Sequence, residues 1–124
     1  MNLLFIASLF ITLFFFLSGF NKIKDFNQVT KGFVNKTKIP LFLGKIVILG
    51  VILLEIIAPL IITLYSYNLN KSLYPYTKLS LILLIIFTIL ATLIYHFPPV
   101  GSNYYSFTSN LSTIGGLILL YHCF

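Results

Sequence analysis

The chain has no arginine, a single cysteine, and only two acidic residues, Asp25 and Glu55, among 124 positions. Charged residues make up 8% of it and hydrophobic ones 59%, whereas a soluble domain carries about 25% charge. A fold this small buries only about two-thirds of its unfolded surface, so it cannot hide so much apolar area from water. A soluble globular domain is excluded, and so is a disordered chain, which needs low hydrophobicity and high charge. Cys123 alone cannot staple a disulfide scaffold or run paired-thiol chemistry. The net charge of +6 does not point to nucleic acid, because no soluble surface exists to present it. What remains is an integral membrane protein with the lipid bilayer as its first partner.

Four apolar runs stand out, at 3–20, 41–65, 79–97 and 105–124. Each approaches the roughly 20 residues that a helix needs to cross about 30 Å of hydrocarbon. The runs are continuous rather than alternating, which excludes a barrel. Lipid demands that every backbone group be paired within the fold. The expectation is therefore all-α: one domain over 1–124, an integral membrane bundle of four transmembrane helices. The first run starts without a positive segment and is longer than the apolar core of a signal peptide, so it reads as a retained helix. Tyr65, Tyr67, Tyr74, Tyr76, Tyr104 and Tyr105 fall at span ends, as interfacial anchors do.

The first loop, 21–40, is polar, with Ile23, Phe26, Val29 and Phe33 at spacings of three and four. That pattern predicts a short amphipathic helix lying flat at the interface, with Pro40 in the first turn of the next helix. Lys22, Lys24, Lys31, Lys36, Lys38 and Lys45 gather on this side, against Lys71 and Lys78 on the other. The excess of positive charge would place the first loop in the cytoplasm and both termini outside.

Glu55 is the most informative residue. It sits near the middle of the second run, where a charge costs from about 3 to over 10 kcal/mol. It must pair, be protonated or face the bundle interior, either as a site for a proton, cation or polar ligand group or as a carboxyl that fixes packing. Pro59, four residues on, has no N–H for the carbonyl of Glu55. Lys22 is the candidate counter-charge. About 15 residues, or ~22 Å, separate Pro40 from Glu55, so Lys22 must lean inward to reach it. Lys22 and Asp25 also share a helical face. His96 ends the third run and His122 the fourth, at opposite faces, so no His/Cys/Asp/Glu set has metal-ligand spacing. His96 is a candidate ligand contact or proton carrier, and Asn110 a hydrogen-bonding one. Gly115 and Gly116 suit close helix approach.

Ser18-Gly19-Phe20-Asn21-Lys22-Ile23 resembles the G-x-x-K-[LI] signature of DoxX-like membrane proteins, at the end of the first span. Glu55 within Leu53-Leu54-Glu55-Ile56 resembles that family's second-helix glutamate. His96, Asn110-Leu111 and Gly115-Gly116-Leu117 are similar to its closing motif. The resemblance implies a four-helix membrane bundle of the DoxX and DoxD type. Members of that wider group are linked to thiosulfate–quinone electron transfer, to membrane complexes with oxidative-stress enzymes, and to assembly or trafficking of other membrane proteins. The family name does not fix an activity; the leading expectation is a membrane subunit without a prosthetic group of its own, not an enzyme by itself but a candidate subunit of a membrane oxidoreductase complex. Such a subunit would bind a quinone, a lipid or a membrane or peripheral protein partner around Glu55, with Lys22, His96 and Asn110 as further contacts and Gly19, Pro59, Gly115 and Gly116 as structural positions. The family's arginines near the first span and in the second loop are missing here; they would favour an N-terminus inside, the reverse of the lysine count. A small proton-coupled transporter is the rival reading, although such proteins carry their key glutamate in the first span, where this chain has none.

Overall fold

The structure is a computed structural model and describes residues 3–124. Five α-helices follow one another: α1 (Leu3–Lys24), α2 (Phe26–Thr37), α3 (Leu41–Asn68), α4 (Tyr74–Tyr95) and α5 (Tyr104–Cys123). Single 3₁₀ turns at Lys71–Leu73 and Gly101–Asn103 lead into α4 and α5, and no strand occurs among the described residues.

Local chemistry sets the breaks. One residue, Asp25, separates α1 from α2, with φ −110° and ψ 31°. Its own N–H still bonds Asn21 at 3.1 Å and its carbonyl accepts from Val29 at 2.9 Å, so the corner is tight. Lys38 ends α2 in the left-handed region, donating to the Val34 carbonyl at 2.8 Å. Pro40 then caps α3 from just outside the helix rather than occupying its first turn. Pro75 does occupy the first turn of α4, where the missing N–H costs nothing.

The helices overrun the apolar runs. α1 continues to Lys24, because the lysines of its last turn favour the negative end of the helix dipole. α3 continues to Asn68, where Leu69 in the left-handed region ends it by donating to the Tyr65 carbonyl at 2.6 Å. With 28 residues, α3 is ~42 Å long. Tyr65 is not an interfacial anchor: it is buried, with its ring 5.2 Å from Phe124 and 5.9 Å from Tyr74.

Three helical segments are long and apolar enough to cross a membrane: Leu3–Lys24, Leu41–Asn68 and Lys71–Tyr95. The fourth run differs from the expectation. α5 has 20 residues, hence ~30 Å, but Ser106, Thr108, Ser109, Asn110, Ser112 and Thr113 dilute its first half.

α3 is the hub, packing on α1, α2 and α4, while α5 lies on α4 and touches α1. The core gathers at the end where the termini lie. Phe15, Ala58, Ile62, Leu81, Leu84, Leu117 and Leu120 fill it from four helices. Lys78 also ties α4 to α5 there, donating to the Tyr121 carbonyl with its ammonium 4.0 Å from the Tyr121 ring centre. α1 meets α3 through Ser8, Thr12, Phe15 and Gly19, a buried stripe at spacings of four, three and four. The small residues of that stripe, Ser8, Thr12 and Gly19, suit close backbone approach, while Phe15 fills the core. Amphipathic α2 packs against α3 and α4, turning Val29, Thr30, Phe33 and Val34 inward and leaving Lys31 and Lys36 exposed. A Cβ on Gly44 of α3 would overlap Val34, so Gly44 is what lets α2 lie down on α3. Large apolar side chains cover the outside, among them Phe10, Leu17, Phe42, Leu53 and Leu90, a surface suited to lipid.

Candidate functional site

Away from the core end the helices form a half-open cavity of about 610 Å³. Lys22, Glu55, His96 and Asn110 all line it, from α1, α3, the end of α4 and α5. α2 supplies one side through Gln28, Val29, Gly32 and Phe33.

Glu55 and Lys22 form the only ion pair among the described residues, with Lys22 Nζ 2.8 Å from Glu55 Oε1. The Lys22 ammonium also donates to Ser18 Oγ at 2.6 Å, one turn back along α1. Helix side chains lean toward the N-terminus, so a lysine in the last turn of α1 is aimed down the helix toward the middle of α3. This closes the ~22 Å gap reckoned from Pro40. The early turns of α3 lie beside α2, which follows α1, and the end of α1 meets α3 near Glu55. Gly19 makes the pair reachable. A Cβ there would sit 2.9 Å from Ile56 Cγ1 and 3.2 Å from Glu55 Cβ. The Gly-x-x-Lys spacing thus has a physical reading: glycine draws α3 close, and lysine on the same face meets the carboxylate. Asp25 does not share Lys22. It stands at the corner, exposed, on the side from which the lysine leans away.

Pro59 is buried one turn beyond Glu55 and offers no N–H to its carbonyl, so this stretch of α3 carries both a charged side chain and a released backbone acceptor. On the far wall Asn110 Nδ2 donates to Thr92 Oγ1 at 2.9 Å, joining α5 to α4. Thr92 donates in turn to the Thr88 carbonyl at 2.6 Å, and Thr88 to the Leu84 carbonyl at 2.7 Å. His96 lines the cavity with its ring 6.4 Å from that of Tyr95, whose centre lies 5.5 Å from the Lys36 ammonium. Between these polar points the lining is apolar, with Phe14, Phe15, Ile48 and Phe87.

The remaining candidates separate. Gly116 makes a close approach, with a Cβ there 3.2 Å from Ile11 Cδ1, while a Cβ on Gly115 would meet open space. The glycine pair therefore contributes one contact to the α1–α5 packing. His122 and Cys123 are exposed at the opposite end. No group of His, Cys, Asp and Glu among the described residues is placed to hold a metal ion.

Sequence reasoning missed Ser18, Thr88 and Thr92. The last two belong to a buried face of α4 running Thr77, Leu81, Leu84, Thr88 and Thr92, a helical period of hydroxyls that was readable in a run otherwise apolar all round.

No family model matches this chain, and no curated protein or solved structure matches it either.

Proposed function

We propose that this chain is a DoxX-like multi-pass membrane protein, a non-catalytic subunit that binds a quinone- or lipid-like ligand around Glu55. In this reading α1, α3, α4 and α5 form a four-helix transmembrane bundle, and α2 lies at the interface. Two features of α5 support its role as a fourth span: its length, and Leu117 and Leu120 buried in the common core. The observation that carries the functional reading is the Lys22–Glu55 pair on the wall of the cavity. A cavity between about 300 and 1,000 Å³, apolar with a few convergent polar groups, has the form of a small-molecule site. An ionisable group within an apolar helix favours function over packing.

The test is mass spectrometry of what co-purifies with the full chain in mild detergent, wild type beside Glu55→Gln. A quinone or lipid retained by wild type and lost from the variant is the expected result. A specific protein partner in both samples, with no small molecule in either, would replace the ligand reading with an assembly or trafficking role.

A further inference from the structure

The charge on the cavity wall narrows what it can take. Four ionisable side chains line it: Lys22, Glu55, Tyr95 and His96. The first two neutralise each other at 2.8 Å. Tyrosine is uncharged below about pH 10. Lys36, 5.5 Å from the centre of the Tyr95 ring, is exposed and does not line the cavity.

We infer that the cavity selects an uncharged amphiphile, a hydrocarbon body with a neutral hydrogen-bonding headgroup, over one headed by a carboxylate, phosphate or amine. This rests on the binding function proposed above and specifies the ligand class. An anionic headgroup gains from Lys22 only by competing with Glu55 for the same ammonium charge. Winning that competition strands a carboxylate whose side chain is 1% exposed, the arrangement in which a buried charge is most costly. A cationic headgroup has to share Glu55 with an ammonium already seated on it. A hydroxyl or carbonyl displaces neither. Of the three donors of the ammonium Ser18 takes one, Glu55 Oε1 lies in ionic contact at 2.8 Å, and a carboxylate accepts several bonds at once. On the other wall the Asn110–Thr92 pair offers amide and hydroxyl chemistry, again without charge. Phe14, Phe87 and Ile94 provide the apolar bed between.

The test compares glycerol monolaurate with laurate, which share a tail and differ in headgroup charge. Binding to the full chain in detergent is followed by native mass spectrometry after equilibration in ~0.5 M salt, which screens the exposed lysines. Wild type is expected to bind the monolaurate at least ~10-fold more tightly. Glu55→Gln leaves Lys22 uncompensated and should reverse the order in favour of laurate. The double variant Lys22→Gln/Glu55→Gln is neutral again and should restore it. Equal affinities, or preference for laurate by wild type, would overturn the inference and leave a binding cavity of different selectivity. Binding of neither probe would overturn both the inference and the function beneath it. Should Glu55→Gln fail to fold, the wild-type ranking decides alone.

Discussion

The two ends of this helical assembly are built differently. Where the termini lie, Ile62, Leu81, Leu84 and Leu117 are wholly buried and interlock from three helices. At the α2 end, an ion pair and one amide–hydroxyl bond hold opposite walls of a cavity. The first end gains stability from close packing, which is strong and indifferent to chemistry. The second uses directional bonds, which contribute less but hold specific groups at specific places. One end therefore carries the stability of the fold and the other is free to carry selectivity.

The largest expected effect tests the packed end. Leu84→Ala should cost about 2–5 kcal/mol, read as a lower melting temperature in detergent, while ligand capture by the folded fraction is unchanged. Loss of capture without loss of stability would erase the distinction between the ends. Next comes the ion pair. Lys22→Met should cost ~3 kcal/mol and Glu55→Gln less, because Glu55 is 1% exposed and Lys22 22%, so a stranded lysine reaches solvent while a stranded carboxylate does not. The double variant Lys22→Met/Glu55→Gln should recover most of the larger loss, as a double-mutant cycle of unfolding in mixed micelles would reveal; additive losses would separate the two residues. The smallest effects come from glycine. Gly19→Ala should cost about 1–3 kcal/mol through overpacking against Ile56 and Glu55. Gly116→Ala should cost less, since Ile11 Cδ1 is a flexible side-chain end, and Gly115→Ala should stay within about 0.5 kcal/mol. A uniform response to the three alanines, in the same melting assay, would contradict the placement of α1 against α3.

The helices were legible because apolar length is a property of the chain itself. Glu55 was legible because a charge within an apolar run is conspicuous. The reach of Lys22 was not, since it depends on which turn of α1 lies beside which turn of α3, and that register follows from Gly19 and from α2 occupying the start of α3. The polar character of α4 was hidden for another reason. Thr88 and Thr92 satisfy their own hydroxyls on α4 carbonyls, so they behave almost as apolar residues until Asn110 is brought beside them. Tyr65 was misread as an anchor because nothing local reveals that Phe124, at the far end of the chain, packs against its ring.

The ion pair also has a direction in time. Lys22 belongs to α1 and Glu55 to α3, so a ribosome releases the cation well before the acid. A lone carboxylate entering a bilayer on an otherwise apolar helix meets a penalty of a few kcal/mol even on the mildest scale. In the proposed membrane reading, α1 would bring its ammonium before α3 brings Glu55. The order of the chain thus supplies the partner of Glu55 before Glu55 itself.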